Sequence, residues 1–226
     1  MIESTNPNDI RLVVAIPSAG MVRTDFAACL AGLVANVAAN AVPSRPESPI
    51  VISMDFALSS VIHGNRETLV QRALDNKMTH LMFLDDDMAF DAGILDILLG
   101  RRQPIVCTNY LIKTVARDEF VAVGLNGHRV ATLESSKGIV PIAYSGFGVS
   151  LFEMEVFKKV PQPWFHPDWV AESRTYTTED NPFYRRCREA GFKVYLDQAA
   201  SKLVKHLGNS SWDWTEYQPK KAVKNG

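Results

Sequence analysis

Cysteine is scarce in this chain and never paired in sequence: Cys29, Cys107 and Cys187 stand far apart, with no Cys-x-x-Cys spacing. That excludes a disulfide framework and a zinc site of the usual spacing, and it predicts a reducing, cytoplasmic setting. A dominant charge is missing too. The formal net charge is −1, so no global field draws the chain to nucleic acid or to an acidic membrane. The local exception, Lys220-Lys221-Ala222-Val223-Lys224, reads as a short solvated end. Long apolar runs are absent. The longest, Phe26 to Val42, is interrupted by Asn36 and Asn40 and reads as a buried helix, not a membrane span. The first nine residues, Met1 to Asp9, have neither the basic start nor the apolar centre of a secretory signal. Glycine-rich phosphate cradles are missing as well. The first apolar run is followed by Pro17-Ser18-Ala19-Gly20-Met21-Val22-Arg23, which is neither Gly-x-Gly-x-x-Gly nor Gly-x-x-x-x-Gly-Lys-Ser/Thr. A nucleotide bound here needs another means of neutralising its diphosphate.

What is present is an ordinary globular composition, 46% hydrophobic and 22% charged, in a chain long enough for one sizeable core. Apolar runs alternate with helix-length segments through the first half. Leu12 to Ile16 precedes a helix from about Thr24 to Ala41. Ile50 to Met54 precedes one from about Arg66 to Asn76, with Asn65 placed to cap it. His80 to Leu84, a helix near Ala92 to Leu99, and Ile105 to Thr108 follow. Strands that are apolar without alternation belong in a parallel sheet covered by helices on both faces. The pattern predicts an α/β fold of Rossmann-like type, with ligands beyond the carboxyl ends of the strands. In the second half, Phe120 to Val130 and Ile139 to Tyr144 read as strands around a turn at Asn126-Gly127. A helix near Glu153 to Lys159, a loop rich in Pro and Trp, and a helix from about Glu179 to Ala190 come next. Val194 to Leu196 and Lys202 to His206 close the pattern. No repeat or linker divides the chain, which predicts a single domain over 1–226. Within it, 10–110 forms a nucleotide-sugar half, 111–208 an acceptor half, and 209–226 a tail.

The strongest chemical signal is His80-Leu81-Met82-Phe83-Leu84 running into Asp85-Asp86-Asp87. Three carboxylates beside a buried strand repel one another unless a cation sits among them. Strand alternation predicts Asp85 and Asp87 on one side and Asp86 on the other. Two oxygen ligands at a strand's carboxyl end suit a hard divalent ion that keeps positions open for phosphate. The alternative is a solvated acidic turn that caps the next helix.

These pieces together resemble a GT-A-fold glycosyltransferase of the family 2 type. The resemblance rests on Val13-Val14-Ala15-Ile16-Pro17-Ser18, Asn65-Arg66-Glu67-Thr68-Leu69-Val70 and the DxD-like Asp85-Asp86-Asp87. Ser145-Gly146-Phe147-Gly148, Thr178-Glu179-Asp180 and Val204-Lys205-His206 continue the family's order to about residue 208. It implies transfer of a sugar from a nucleoside diphosphate donor with Mn2+ or Mg2+. Carried across, Asp85, Asp87 and His206 are the expected metal ligands. Pro17, Ser18, Asp55, Arg66, Asp85, Asp86 and Gly146 are the expected donor contacts. Asp180, with Glu179 as second choice, is the expected general base of an inverting transfer. For His206 the competing role is a hydrogen bond to a carbonyl; for Asp180 it is a place in a Thr178-capped helix start.

Trp164, Phe165, Trp169 and Tyr176 are candidates for stacking on an acceptor, or for packing their own loop. Trp212, Trp214 and Tyr217 suit either a flap over the donor or an anchor for the tail. The acceptor stays open among a glycan, a protein, a small molecule and a modified nucleic-acid base, as does the oligomeric state. The chain is short for the family and has no membrane anchor, which favours single-sugar transfer to a soluble acceptor. Two rivals remain: a nucleotidyltransferase of related fold, and a non-catalytic module that binds nucleotide sugars or glycans.

Overall fold

The computed structural model describes residues 10–39, 50–113, 119–208 and 211–218. The basic tail, the polar amino terminus and the end of the Phe26 to Val42 run lie outside the described residues. The first half runs β1 (Ile10–Ser18), α1 (Thr24–Ala39), β2 (Ile50–Leu58), α2 (Ile62–Asp75), β3 (His80–Leu84), β4 (Met88–Phe90), α3 (Ile94–Gly100) and β5 (Ile105–Cys107). The second half runs β6 (Val123–Gly124), β7 (Ile139–Tyr144), β8 (Val149–Glu153), α4 (Met154–Lys159), β9 (Trp169–Val170) and β10 (Thr175–Tyr176). It ends with α5 (Asp180–Glu189), β11 (Val194–Asp197), α6 (Gln198–Ser201), β12 (Val204–Leu207), β13 (Ser211–Trp212) and a 3-10 turn at Trp214–Glu216.

Eight strands form the main sheet in the order β2-β1-β3-β8-β5-β11-β7-β6. Strands β1, β2 and β3 pair in parallel, as do β5 and β11, while β7 and β8 run against their neighbours. The expected α/β class, a mostly parallel sheet flanked by helices, is the architecture found. Because β1 and β3 point the same way, their carboxyl ends open on one edge, where the acidic turn sits.

Each face of the sheet carries its own core. Leu12, Val14 and Ile16 face one way and pack with Phe26 and Leu33 of α1. Val13 and Ala15 face the other way, with Phe83, Phe147, Phe152, Phe157, Phe165 and Phe183. That second core is rich in aromatic rings. Phe147 alone lies 5.3 to 5.6 Å from the ring centres of Phe83, Phe165, Phe183 and Tyr184.

Several local expectations need correction. Asn65 lies inside α2, which starts four residues earlier than expected, so it is no cap. Its amide is buried and donates to the carbonyls of Ser18 (3.2 Å) and Ser59 (2.9 Å), tying the end of β1 to the next loop. Phe120 to Val130 is not a continuous strand. Only Val123 and Gly124 join the sheet, and the chain turns at Gly127, whose φ of 81° favours glycine. Strand β8 was not expected; Val149 to Phe152 is too short for periodicity to tell strand from helix. Trp164 and Phe165 are buried, with the Trp164 indole N–H donating to Val160 O at 2.8 Å, so they pack the core. Trp214 donates to Lys202 O at 3.1 Å, and the Tyr217 ring lies 4.8 Å from Phe120. Both behave as anchors.

Candidate functional site

A cleft of about 340 Å³ opens at the carboxyl edge of the sheet, and its lining joins both halves of the chain. Asp85 and Asp87 reach it from the turn between β3 and β4, Arg66 from α2, and Gly146 and Phe147 from the β7–β8 connection. Thr178, Glu179 and Asp180 reach it at the start of α5, and His206 from β12.

The strand stops at Leu84, so Asp85, Asp86 and Asp87 form a turn closed by Met88 N–H donating to Asp85 O at 3.1 Å. Alternation along a strand is therefore not what sorts them. The turn still brings Asp85 and Asp87 to the cleft and leaves Asp86 off its lining. Strand β12 pairs antiparallel with β4, His206 opposite Met88, which sets the imidazole beside Asp87.

The charges are interlocked. Arg66 is buried, with its guanidinium 2.8 Å from Asp85 and 3.3 Å from Glu179, and it lies over the rings of Phe147 (4.7 Å) and Phe83 (5.2 Å). Burial works against its charge, but Asp85 and Glu179 more than compensate and raise its pKa. Burial lifts the Asp85 carboxyl above its usual range, Arg66 opposes, and Asp87 adds to the rise. For Asp87 burial also pushes upward, yet hydrogen bonds from His206 and Lys113 win and hold it down at about 2. His206 Nε2 lies 3.3 Å from Asp87 Oδ2, and its Nδ1 lies 3.0 Å from Leu111 O. The Lys113 ammonium pairs with the same Asp87 oxygen.

At the start of α5, Asp180 Oδ1 accepts from the Thr178 hydroxyl and from Asn181 N–H at 2.7 Å. Thr178 thus bonds the carboxylate and not the helix backbone; no side chain caps α5. Burial raises the Asp180 pKa, which those two donors only partly offset.

Other expected residues lie elsewhere. Pro17 and Ser18 are buried in β1 off the cleft lining, and the Ser18 hydroxyl accepts from Gly20 N–H at 3.1 Å. Asp55 is within β2, not after it, and pairs with Arg72 at 3.0 Å. Trp169 and Tyr176 face each other across the β9–β10 hairpin, both exposed, their ring centres 5.1 Å apart. Tyr110, Arg129, Tyr144 and Lys113 were not foreseen. No motif marks them, because loop crossings after β5 and around β6 bring them in.

No set of three or more His, Cys, Asp or Glu side chains is gathered tightly enough to form a metal cluster among the described residues. Nor is any helix among them long and apolar enough to cross a membrane.

No family model matches the chain, and no curated protein matches it. Solved structures do. The crystal structure of A197 from STIV superposes with a TM-score of 0.55 at 20% identity, over 88% of this chain and 86% of that one. The crystal structure of GalNAc-T7 with UDP, GalNAc and Mn2+ also gives a TM-score of 0.55, at 11% identity. The match covers 91% of this chain but spans only 45% of GalNAc-T7. The chain has the fold of a GT-A glycosyltransferase.

Proposed function

We propose that this protein is a glycosyltransferase, moving a sugar from a nucleoside diphosphate donor to an acceptor hydroxyl with a divalent cation. The observation that carries the reading is the imidazole of His206. A carbonyl oxygen only accepts, so Nδ1 facing Leu111 O carries a proton. That leaves Nε2, 3.3 Å from Asp87 Oδ2, as the nitrogen that would face a cation, and releasing its proton would make it and Asp87 two ligands of the same ion. A backbone carbonyl that fixes the tautomer is also the support a metal-ligating histidine commonly has. Asp85, Asp87 and His206 would supply two carboxylates and one imidazole to the ion, a donor set that favours Mn2+ over Mg2+. The Lys113 ammonium on Asp87 is a monovalent stand-in for such charge. When bound, the ion supplies Lewis acidity that offsets the charge on the departing diphosphate.

The chain's own residues do the rest. Arg66 holds Asp85 and Glu179 in fixed relation. Asp180 takes the proton of the acceptor hydroxyl, its Oδ1 anchored by Thr178 and Asn181, and its raised pKa makes it a better base. A base that deprotonates the acceptor for direct displacement of the diphosphate gives inversion. The unpaired cysteines accord with work in the cytoplasm.

The test is thermal shift with UDP-, ADP-, GDP- and TDP-sugars, with and without Mn2+, since a ligand specific for the native state raises Tm in proportion to occupancy. A rise that needs sugar nucleotide and metal together, and disappears in a folded Asp87→Ala variant, is expected. No rise with any of them ends the proposal. Binding without transfer to any glycan, protein, small molecule or modified base would favour a non-catalytic module. Transfer of the nucleotidyl group would favour the nucleotidyltransferase.

A further inference from the structure

Tyr110 follows β5 and reaches the cleft with only 7% of its surface exposed. Its ring meets the His206 ring edge-on, centres 5.1 Å apart. Its hydroxyl lies directly on the backbone of the β7–β8 connection. A methyl group added at Gly146 would stand 2.1 Å from the Tyr110 oxygen, and one at Gly148 would come within 2.8 Å of the ring. Neither glycine has positive φ, so what they provide is room for the tyrosine. Gly148 N–H donates to the phenol oxygen at 3.1 Å, which leaves the phenol's own proton to be given elsewhere. A tyrosine hydroxyl is protonated at neutral pH, so that proton is available to give. The hydroxyl shares the cleft with the acidic turn and with Asp180.

We propose that Tyr110 is a substrate-contacting residue whose hydroxyl donates a hydrogen bond to an oxygen of the transferred sugar, with Gly146 and Gly148 shaped to admit it. The proposal rests on the glycosyl-transfer reading above. Its chemical basis is the complementarity of the cleft to a hydroxyl-rich ligand. Ionised Asp85, Asp87, Glu179 and Asp180 accept from sugar hydroxyls, while the sugar's own oxygens need donors, and the Tyr110 hydroxyl is one whose proton Gly148 does not use. A phenylalanine would fill the same space, so the hydroxyl is the part that calls for a role. The simplest competing role is to satisfy Gly148 N–H alone.

Tyr110→Phe separates the two. Titration calorimetry would measure Mn2+ with the nucleoside diphosphate alone, and Mn2+ with the sugar nucleotide that stabilises the wild type best. The diphosphate should bind within twofold of wild type, while the sugar nucleotide weakens about tenfold, the size of one hydrogen bond. Equal weakening of both would make Tyr110 a structural prop and overturn the proposal; no weakening of either would overturn it too. Gly146→Ala supplies a second readout. It should lower Tm in the wild type and lower it less in the Tyr110→Phe background, where the closest clashing atom is gone. Strictly additive losses would contradict the packing assumed here. A wild type that binds no sugar nucleotide fails the broader reading, and this one with it, before any variant is made.

Discussion

At the scale of single residues, the site separates its carboxylates by environment. Asp87 is pulled down by its hydrogen bonds with His206 and Lys113 and Asp180 is pushed up by burial, the usual mark of one group that holds charge and one that moves a proton. A base works only when deprotonated, so turnover should fall as pH drops through the Asp180 pKa. That acidic limb should lie above the ordinary aspartate value of about 3.9. In Asp180→Asn, transfer should drop by about 10² or more, with the limb gone and donor affinity kept. A full pH–rate profile and a donor titration check this, and unchanged turnover would move the base elsewhere. The thiols give a second expectation. Burial pushes Cys107 up to about 12, with Tyr184 close by, and raises Cys187 further still. A colorimetric thiol reagent at pH 8 should therefore modify at most Cys29 in the native protein and all three cysteines in denaturant. Fast labelling of Cys107 would mean that the aromatic core opens readily.

At the scale of elements, the turn after β3 and the start of α2 show how local rules can be overridden. Asn65 has the type and place of a cap, but tertiary contacts draw its amide inward to the carbonyls of Ser18 and Ser59. Asn65→Ala should cost about 1–3 kcal/mol, because those carbonyls lose their partner. Chemical denaturation checks the magnitude, and a loss under about 0.5 kcal/mol would fit only a surface position. The acidic turn was placed correctly along the chain, yet for an incomplete reason: a turn, not a strand's alternation, delivers Asp85 and Asp87 together. Strand β8 escaped notice because five residues are too few to establish a period. Its position between β3 and β5 is nonetheless what sets Gly146, Phe147 and Gly148 against the acidic turn.

At the scale of the molecule, Arg66 links the parallel front strands to α5, because its one guanidinium meets both Asp85 and Glu179. Removing it would leave two carboxylates facing each other with reduced solvation. Arg66→Ala should therefore destabilise the fold by about 3–5 kcal/mol. Arg66→Lys should recover only part of that, because a point charge cannot match the two-sided fork. Tm of the two variants at neutral pH checks the order, and a stable Arg66→Ala would show that the halves do not depend on this contact.

Sequence alone determined the α/β class, the order of most elements and the carboxylate pair, because apolar runs, turn residues and charge clusters are local signals. Only the tertiary structure decided which of these residues meet. It brought His206 to Asp87 through the β4–β12 pairing, left Pro17, Ser18, Asp55 and Asp86 off the cleft, and introduced Tyr110 and Lys113. The physical reason is that a cleft is formed by strand order and loop crossings. Those join residues more than a hundred positions apart, and no spacing along the chain records them.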